Sequence, residues 1–322
     1  MSYKVIITAR SFGKTDELAL EVLRAAGCEW MKLEEKNGSL AEQLKKELPT
    51  ADALIAGVEP IGADLIKAAP KLKVISRYGV GYDNVDIETA AERGIQVTIT
   101  PDANKDSVAD LAVALMLNLA RNVNVMHQSI CSRAQVRPQG LELFGKTLGV
   151  IGAGRIGQGV ARRCRGFNMR ILVNDLYRDE AFAKETGAEY VSLEEVLKNS
   201  DFITLHAPLT EKTKNMISKR EFEMMKPEAV LVNTARGGVV DEEALYEALK
   251  SGRIWGAALD AMLSEPAHDS PLTELPNCIL TPHAGAATKE ASSRMSLIAA
   301  ENVAEVLGGG ISRFNVIRSL AG

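Results

Sequence analysis

The chain has 322 residues, of which 46% are hydrophobic and 25% charged, with a formal net charge of −4. This composition is typical of a soluble globular protein with room for two domains. The acidic balance argues against nucleic-acid and membrane partners, because neither surface would attract it. The longest apolar run, Leu111–Leu117, is also too short to cross a bilayer.

Four cysteines are scattered along the chain without a CxxC pair or metal-ligand spacing. They predict reduced, mostly buried thiols in a cytoplasmic protein that holds no metal. A signal peptide is not expected, because Lys4–Thr8 already resembles a first strand.

From the N-terminus to Thr98, apolar strands alternate with amphipathic helices, which is typical of βαβ units and a mostly parallel sheet. Thr100-Pro101 breaks this pattern, and one long helix is predicted from Ser107 to Ser132. Its apolar positions are too numerous for one face of a solvated helix, so we expect burial on more than one side. The first series comprises Lys4–Thr8, Asp16–Ala26, Glu29–Lys32, Leu40–Leu48, Ala53–Ala56, Ala63–Ala69, Val74–Ser76, Ile87–Arg93 and Ile95–Thr98.

A second series starts at Thr147, and a last helix, Ala291–Leu307, follows it. We predict two α/β domains, each a doubly wound parallel sheet of the Rossmann or flavodoxin type, with the last helix returning to the first domain. The first domain is therefore discontinuous, residues 1–100 with 287–322, and the second is 101–286. The second series comprises Leu148–Ile151, a helix, Arg170–Asn174, a helix, Phe202–Leu205, Ala229–Asn233, Asp241–Lys250, Ile254–Leu259 and Cys278–Thr281.

A glycine-rich turn opens the second domain. Gly152, Gly154 and Gly157 have G-x-G-x-x-G spacing between a predicted strand and helix, which is the context of a dinucleotide-binding turn. The helix N-terminus offers unpaired N–H groups to phosphates. Asp175 ends the next strand, 18 residues after Gly157. A carboxylate there accepts bonds from ribose hydroxyls and repels a 2′-phosphate, which predicts NAD rather than NADP.

Three residues further along could transfer a proton and hold an anion. His283 follows the strand Cys278–Thr281, and carboxyl ends of parallel strands are where ligands bind. Hydride transfer from an alcohol needs a base, which imidazole provides near neutral pH. Glu265 could fix the imidazole tautomer, and Arg236 could bind a substrate carboxylate with two hydrogen bonds.

Five segments together resemble the NAD-dependent D-2-hydroxyacid dehydrogenases, over essentially the whole chain. They are "SRYGVGYDNVD", "GVIGAGRIG", "VNTARGGVVDEEAL", "GAALDAMLSEP" and "TPHAGAAT". The first segment and the overall layout are most similar to phosphoglycerate dehydrogenases, without the C-terminal regulatory domain of their longer forms. The resemblance implies that the first domain binds substrate, the second binds NAD, the active site lies in a cleft between them, and the long helix forms a two-fold homodimer.

The resemblance also implies individual roles. His283 is the general acid/base, Glu265 its partner, and Arg236 the anchor for substrate carboxylate and carbonyl. In the first domain, Arg77 and the backbone of Val80 and Gly81 would hold the substrate. The remaining residues implied at the cofactor, beside the three glycines and Asp175, are Arg155, Ile156, His206, Pro208, Thr234 and Asp260. For His206 we favour packing on the cofactor without proton chemistry.

Three positions depart from the family pattern. Ile99 replaces the usual asparagine before Thr-Pro, Arg133 stands where an aromatic is usual, and Gly57 where phosphoglycerate dehydrogenases carry a phosphate-binding arginine. We therefore predict a small, non-phosphorylated 2-hydroxy acid, with 3-phosphoglycerate as the alternative. An NAD-sensing binding protein would need added partner-binding segments. The formate dehydrogenase alternative is disfavoured, because that enzyme carries glutamine at the position of Glu265.

Overall fold

The computed structural model describes residues Ser2–Ile317. The chain divides into two compact units, of which the first joins the chain up to Asn104 to the chain from Ala287 onward. The second unit is Lys105–Ala286. The first unit is discontinuous, and its first boundary follows Asn104, whereas the sequence analysis placed it after residue 100.

Unit 1 is built on a five-stranded parallel sheet with the order β2-β1-β3-β4-β5 among the described residues. Its central strands are buried on both faces, which explains why they are continuous apolar runs. The strands are β1 (Tyr3–Ile7), β2 (Cys28–Lys32), β3 (Ala53–Ala56), β4 (Val74–Arg77) and β5 (Gln96–Thr98); the helices are α1 (Leu18–Ala25), α2 (Leu40–Glu47), α3 (Ala63–Lys67), α4 (Ile87–Glu92) and α12 (Lys289–Leu307).

The last helix, α12, completes the core of unit 1. Ala299 and Val303 pack with Val5, Ile7 and the residues of α1 on one face of the sheet. The alternate strand residues, such as Ile6, belong to the core on the opposite face, because successive side chains of a strand point to opposite sides.

Unit 2 is built on a seven-stranded parallel sheet, described in the order β12-β11-β10-β9-β6-β7-β8. Strand order reverses between β6 and β9, which makes this boundary the switch point of a Rossmann-type sheet. A Cβ at Gly157 would lie 2.1 Å from Gly152 O, so only glycine allows α7 to approach the turn after β6. The strands are β6 (Thr147–Ile151), β7 (Arg170–Asn174), β8 (Glu189–Tyr190), β9 (Phe202–Leu205), β10 (Val230–Asn233), β11 (Gly256–Leu259) and β12 (Cys278–Leu280).

The helices of unit 2 include a break that the sequence prediction missed. The predicted helix Ser107–Ser132 is in fact two helices, bent by 64° at Asn122. Asn122 has φ 52°, a left-handed conformation that asparagine tolerates better than most residues, and its Nδ2 donates to Gln139 O at 3.2 Å. The helices are α5 (Lys105–Arg121), α6 (Val123–Cys131), α7 (Arg155–Cys164), α8 (Glu180–Thr186), α9 (Leu193–Asn199), α10 (Lys219–Met224) and α11 (Glu242–Lys250).

Helix α5 lies in the core of unit 2, where Ala112, Leu115 and Met116 are buried. No single described helix has both the length and the apolarity to span a bilayer; α5 and α6 pass that test only as a bent pair, on length and composition alone.

The four cysteines are free thiols. Cys28 and Cys164 are buried, Cys278 is half-buried and Cys131 is exposed. Burial raises the pKa of both Cys164 and Cys278 to about 12, so these two thiols are protonated at neutral pH.

Candidate active site

The predicted site residues of unit 2 lie along one edge of its sheet. Because all neighbouring strands run parallel, their carboxyl ends meet at the same edge, where ligands of open α/β sheets bind. The residues that follow the strands there are Gly152 after β6, Asp175 after β7, His206 after β9, Thr234 and Arg236 after β10, Asp260 after β11 and His283 after β12.

The glycine turn between β6 and α7 forms a cradle without side chains. Gly152 has φ 90°, and a Cβ there would lie 2.7 Å from Ala207 N, so the turn packs directly against the end of β9. A Cβ on Gly154 would meet no described atom within 4 Å, which leaves open space over this residue. Helix α7 begins here, and its first turn includes Arg155 and Ile156. The N–H groups of a helix's first turn point out of its N-terminus and can bind phosphate. The turn therefore fits a pyrophosphate.

Asp175 holds its carboxylate beside this turn. Its Oδ2 accepts the Ala153 N–H at 2.6 Å, and its Oδ1 accepts the Tyr177 N–H at 2.9 Å. Arg178, three residues later, is a cation that could favour a 2′-phosphate, and it pairs with Glu180 at 2.7 Å. The carboxylate and the glycine cradle together fit the adenosine half of NAD.

His283 and Glu265 form a paired acid and base. His283 Nδ1 lies 3.0 Å from Glu265 Oε2 and 3.1 Å from Oε1. The two side chains are 35% and 28% exposed, so the pair is partly shielded but open on one side. With Nδ1 engaged by a carboxylate, Nε2 is the ring nitrogen through which His283 can exchange a proton with a ligand.

The surroundings keep Glu265 ionised. Partial burial opposes ionisation, but the hydrogen bond and charge of His283, the Met262 N–H and the positive charge of Arg236 together lower the pKa of Glu265 below its usual range. The Met262 N–H donates to Glu265 Oε1 at 3.2 Å. A carboxylate that stays anionic near neutral pH stabilises a protonated imidazole beside it.

The buried carboxylate of Asp260 holds the turn that carries His283. Oδ1 accepts the Thr281 hydroxyl at 2.6 Å and the Ala284 N–H at 2.7 Å, and Oδ2 accepts the Gly285 N–H at 2.8 Å. His283 itself has φ 51°, an uncommon conformation for a residue with a side chain. A carboxylate can accept about four hydrogen bonds, so Asp260 retains capacity for one further donor.

Arg236 lies in a turn that packs against the turn of Glu265. A Cβ at Gly237 would lie 2.1 Å from Met262 O, so glycine is required for this approach. Asn233, which is 1% exposed, holds the turn: its Nδ2 donates to Arg236 O at 2.9 Å and its Oδ1 accepts the Ala235 N–H at 3.0 Å. The sequence prediction missed Asn233. The signal for it is a polar side chain at the end of an apolar strand, which must be hydrogen-bonded when buried.

His206 is held as a neutral imidazole. Thr204 Oγ1 lies 2.9 Å from its Nε2 and Thr234 Oγ1 lies 3.5 Å from its Nδ1. Burial lowers the pKa of His206 to about 3, so this ring is uncharged near neutral pH. Pro208, two residues later, is exposed, and its carbonyl accepts the Thr213 hydroxyl.

In unit 1, the loop after β4 contains the three predicted substrate residues. Arg77 is buried, and its guanidinium donates to Ala56 O at 2.9 Å and to Gly81 O at 3.0 Å, which shapes the loop. Val80 and Gly81 are half-buried, and within the described chain their backbone N–H groups make no hydrogen bond. These two N–H groups can therefore donate to an anion such as a carboxylate.

Comparison with known proteins agrees with this geometry. The family model for the NAD-binding domain of D-isomer specific 2-hydroxyacid dehydrogenases matches residues 113–285. The D-3-phosphoglycerate dehydrogenase of Methanocaldococcus jannaschii is 45% identical over 94% of this chain, which spans 57% of that protein's length. The glyoxylate reductase of Korarchaeum cryptofilum is 47% identical over 78% of both chains.

A solved structure extends the similarity to three dimensions. The D-lactate dehydrogenase from Aquifex aeolicus, crystallised with NAD and lactic acid, superposes with a TM-score of 0.83 at 29% identity and covers 95% of this chain and 96% of its own. With both its sequence and its two sheets matched, this chain belongs to the D-isomer-specific 2-hydroxyacid dehydrogenase family and carries that family's NAD-binding domain.

Proposed function

We propose that this protein is an NAD-dependent oxidoreductase that interconverts small 2-oxo acids and D-2-hydroxy acids. The observation that carries the proposal is the His283–Glu265 pair, 3.0 Å apart, at the sheet edge that also bears the glycine cradle. The relatives named glyoxylate reductase support a small substrate, because they match this chain over about four-fifths of their own length.

The proposed reaction needs one proton and one hydride. When bound, NAD supplies the hydride acceptor for oxidation, and its reduced form the hydride donor for reduction. His283 Nε2 gives a proton to the carbonyl oxygen of the 2-oxo acid during reduction and removes it from the hydroxyl during oxidation. Glu265 fixes the tautomer and stabilises the imidazolium that exists before reduction.

The substrate's charge needs its own partners. In unit 2 we assign the substrate carboxylate and carbonyl to Arg236, whose guanidinium can bind them with charge-assisted hydrogen bonds. In unit 1 we assign the loop that carries the N–H groups of Val80 and Gly81 to substrate binding. Asp260 has one acceptor position left, which suits the carboxamide N–H of nicotinamide. His206 packs on the cofactor as a neutral ring.

A second candidate is D-3-phosphoglycerate dehydrogenase. The similarity to the Methanocaldococcus jannaschii protein over 94% of this chain favours it. A phosphorylated substrate carries close to two negative charges and needs compensating cations. Gly57 offers none at the position where the resemblance implies an arginine, and the buried guanidinium of Arg77 already bonds backbone carbonyls. We therefore rank the non-phosphorylated substrate first.

We also propose a cytoplasmic homodimer. Exposed apolar side chains concentrate between residues 123 and 144, where a second copy could cover them. They are Val123, Ile130, Val136 and Phe144. Reduced thiols throughout the chain are consistent with the cytoplasm.

Oxidation of NADH in the presence of glyoxylate, hydroxypyruvate or 3-phosphohydroxypyruvate tests the proposed function. We expect turnover with glyoxylate and hydroxypyruvate and weaker turnover with the phosphorylated acid. A protein that binds NADH but consumes it with none of the three would be a binding protein rather than a reductase.

A further inference from the structure

The boundary between β1 and β3 is the switch point of the sheet in unit 1. The order β2-β1-β3-β4-β5 reverses there, and ligands of such sheets bind outside the carboxyl ends of the strands at that point. Thr8 follows β1 and Gly57 follows β3, so these two residues flank the boundary. Thr8 is buried although it is polar, so its hydroxyl needs partners inside the protein.

The carboxylate of Glu59 occupies this position. Its Oε1 accepts the Gly57 N–H at 3.1 Å and also the Thr8 hydroxyl, and the Gly57 N–H is shared with Thr8 Oγ1 at 3.0 Å. Glu59 Oε2 lies 2.7 Å from where a Cβ on Gly57 would be, so glycine makes room for the carboxylate. Within the described chain, Oε2 accepts no hydrogen bond, which leaves one oxygen able to bind a ligand.

Glu59 is joined to the loop that we assign to the substrate. Asn84 lies at the end of that loop. Its side-chain Nδ2 donates to Glu59 O at 2.7 Å, and its backbone carbonyl accepts the Ile61 N–H at 2.7 Å. At the other end of the loop, Arg77 donates to Ala56 O, one residue before Gly57. The loop and the segment that carries Glu59 are therefore held together at both ends.

Two of the cations that line the cavity beside Thr8 are already engaged. Arg10, beyond Thr8, pairs with Glu35 at 2.7 Å, and Lys32 donates to two backbone carbonyls at 3.0 Å each. Lys14 lines the same cavity. The charged group that is hydrogen-bonded to Thr8 and Gly57 themselves is the Glu59 carboxylate.

We propose that Glu59 is a specificity-determining residue that receives the end of the substrate farthest from its carboxylate. An anionic acceptor at that point favours a short 2-oxo acid whose third carbon bears a hydroxyl or another hydrogen-bond donor, and it repels a phosphate or a second carboxylate. This inference rests on the proposed function and names its substrate class.

The test compares kcat/KM for hydroxypyruvate and for 3-phosphohydroxypyruvate in the wild type, Glu59→Gln and a matched control. The control is Glu92→Gln, which removes the same charge from an exposed position. Glu92 ends α4, the helix that returns the chain to the amino ends of the strands, whereas Glu59 lies at their carboxyl ends. We expect at least a tenfold preference for hydroxypyruvate in the wild type and in Glu92→Gln. In Glu59→Gln we expect this preference to fall by about tenfold, mainly through a lower KM for the phosphorylated acid.

A second variant tests the same point without removing the carboxylate. In Gly57→Ala the new Cβ must displace Glu59 Oε2, and we expect the preference to shift in the same direction as in Glu59→Gln.

Wild-type protein that consumes NADH with neither acid would overturn both the proposed function and this inference. Active enzyme whose preference is the same, within twofold, in the wild type, Glu59→Gln and Gly57→Ala overturns the role of Glu59 alone. A wild type that prefers the phosphorylated acid also overturns it and directs attention to Lys14.

Discussion

Asp260 Oδ1 accepts the backbone N–H of Ala284 at 2.7 Å, although the two residues are 24 positions apart in the chain. Ala284 directly follows His283, whose φ of 51° is uncommon for a residue with a side chain. The bond ties the end of β11 to the turn after β12. It thus fixes the backbone from which the imidazole reaches Glu265.

Asp260→Asn should lower kcat more than it weakens NADH binding. An amide nitrogen would face N–H donors that now bond a carboxylate, and hydrogen bonds to charged groups contribute about 1.5–3 kcal/mol, or roughly 10–100-fold in rate. Steady-state kinetics with glyoxylate and fluorescence titration with NADH separate the two effects. Weaker NADH binding with an unchanged kcat would assign Asp260 to the cofactor alone.

Glu265→Gln should move the pH dependence of hydroxy-acid oxidation to lower pH. The lowered pKa of Glu265 keeps it anionic across the assay range, and glutamine removes this stabilisation of the imidazolium. The imidazole then loses its proton more readily, so the basic form that oxidation requires is present at lower pH. Profiles of kcat/KM from pH 5 to 9 measure the shift, with Glu247→Gln on α11 as the control. Superimposable profiles would remove Glu265 from the proton transfer.

Asp175→Ser should reduce the preference for NADH over NADPH by tenfold or more. The carboxylate beside the glycine turn repels a 2′-phosphate, and serine does not. The ratio of kcat/KM for the two cofactors with glyoxylate gives the answer. If the wild type already uses NADPH as well as NADH, the role of Asp175 is wrong.

Ile130→Glu should convert a dimer to monomers. Ile130 is 61% exposed on α6, within the apolar segment that we assign to the homodimer, and a buried unpaired charge there would be costly. Sedimentation at micromolar concentration should give twice the 34.7 kDa chain mass for the wild type. Ile311→Glu, which changes an exposed side chain of unit 1, is the control. A wild type that sediments at the mass of one chain contradicts the dimer.

Most of the fold could be predicted because strands of parallel sheets are buried on both faces and appear as short apolar runs. Ala53–Ala56 and Phe202–Leu205 have the predicted bounds for this reason. The two-residue strand Glu189–Tyr190 has no such run. The sequence did not predict the break at Asn122, because a single left-handed residue leaves the helical spacing of apolar side chains nearly unchanged on both sides.

The strand-end residues of the candidate site could be predicted because parallel strands bring their carboxyl ends to one edge. His283 and Glu265 were predicted as partners, and the structure brings them within 3.0 Å. The supporting bonds could not be predicted, because they join side chains to backbone groups in other turns. The bonds from the N–H groups of Ala284 and Gly285 to the Asp260 carboxylate are of this kind.

The central claim is that the protein reduces a 2-oxo acid to the D-hydroxy acid with His283 as the proton donor. The most direct test measures the stereochemistry and the rate of product formation from hydroxypyruvate and NADH, in the wild type and in His283→Ala. We predict that the wild type forms D-glycerate alone, as measured by chiral chromatography. His283→Ala should lose at least about 100-fold in kcat, because general acid–base catalysis contributes about 10²–10⁴-fold, while it still binds NADH. Formation of L-glycerate, the absence of any product, or a His283→Ala variant within tenfold of the wild-type rate would contradict the account.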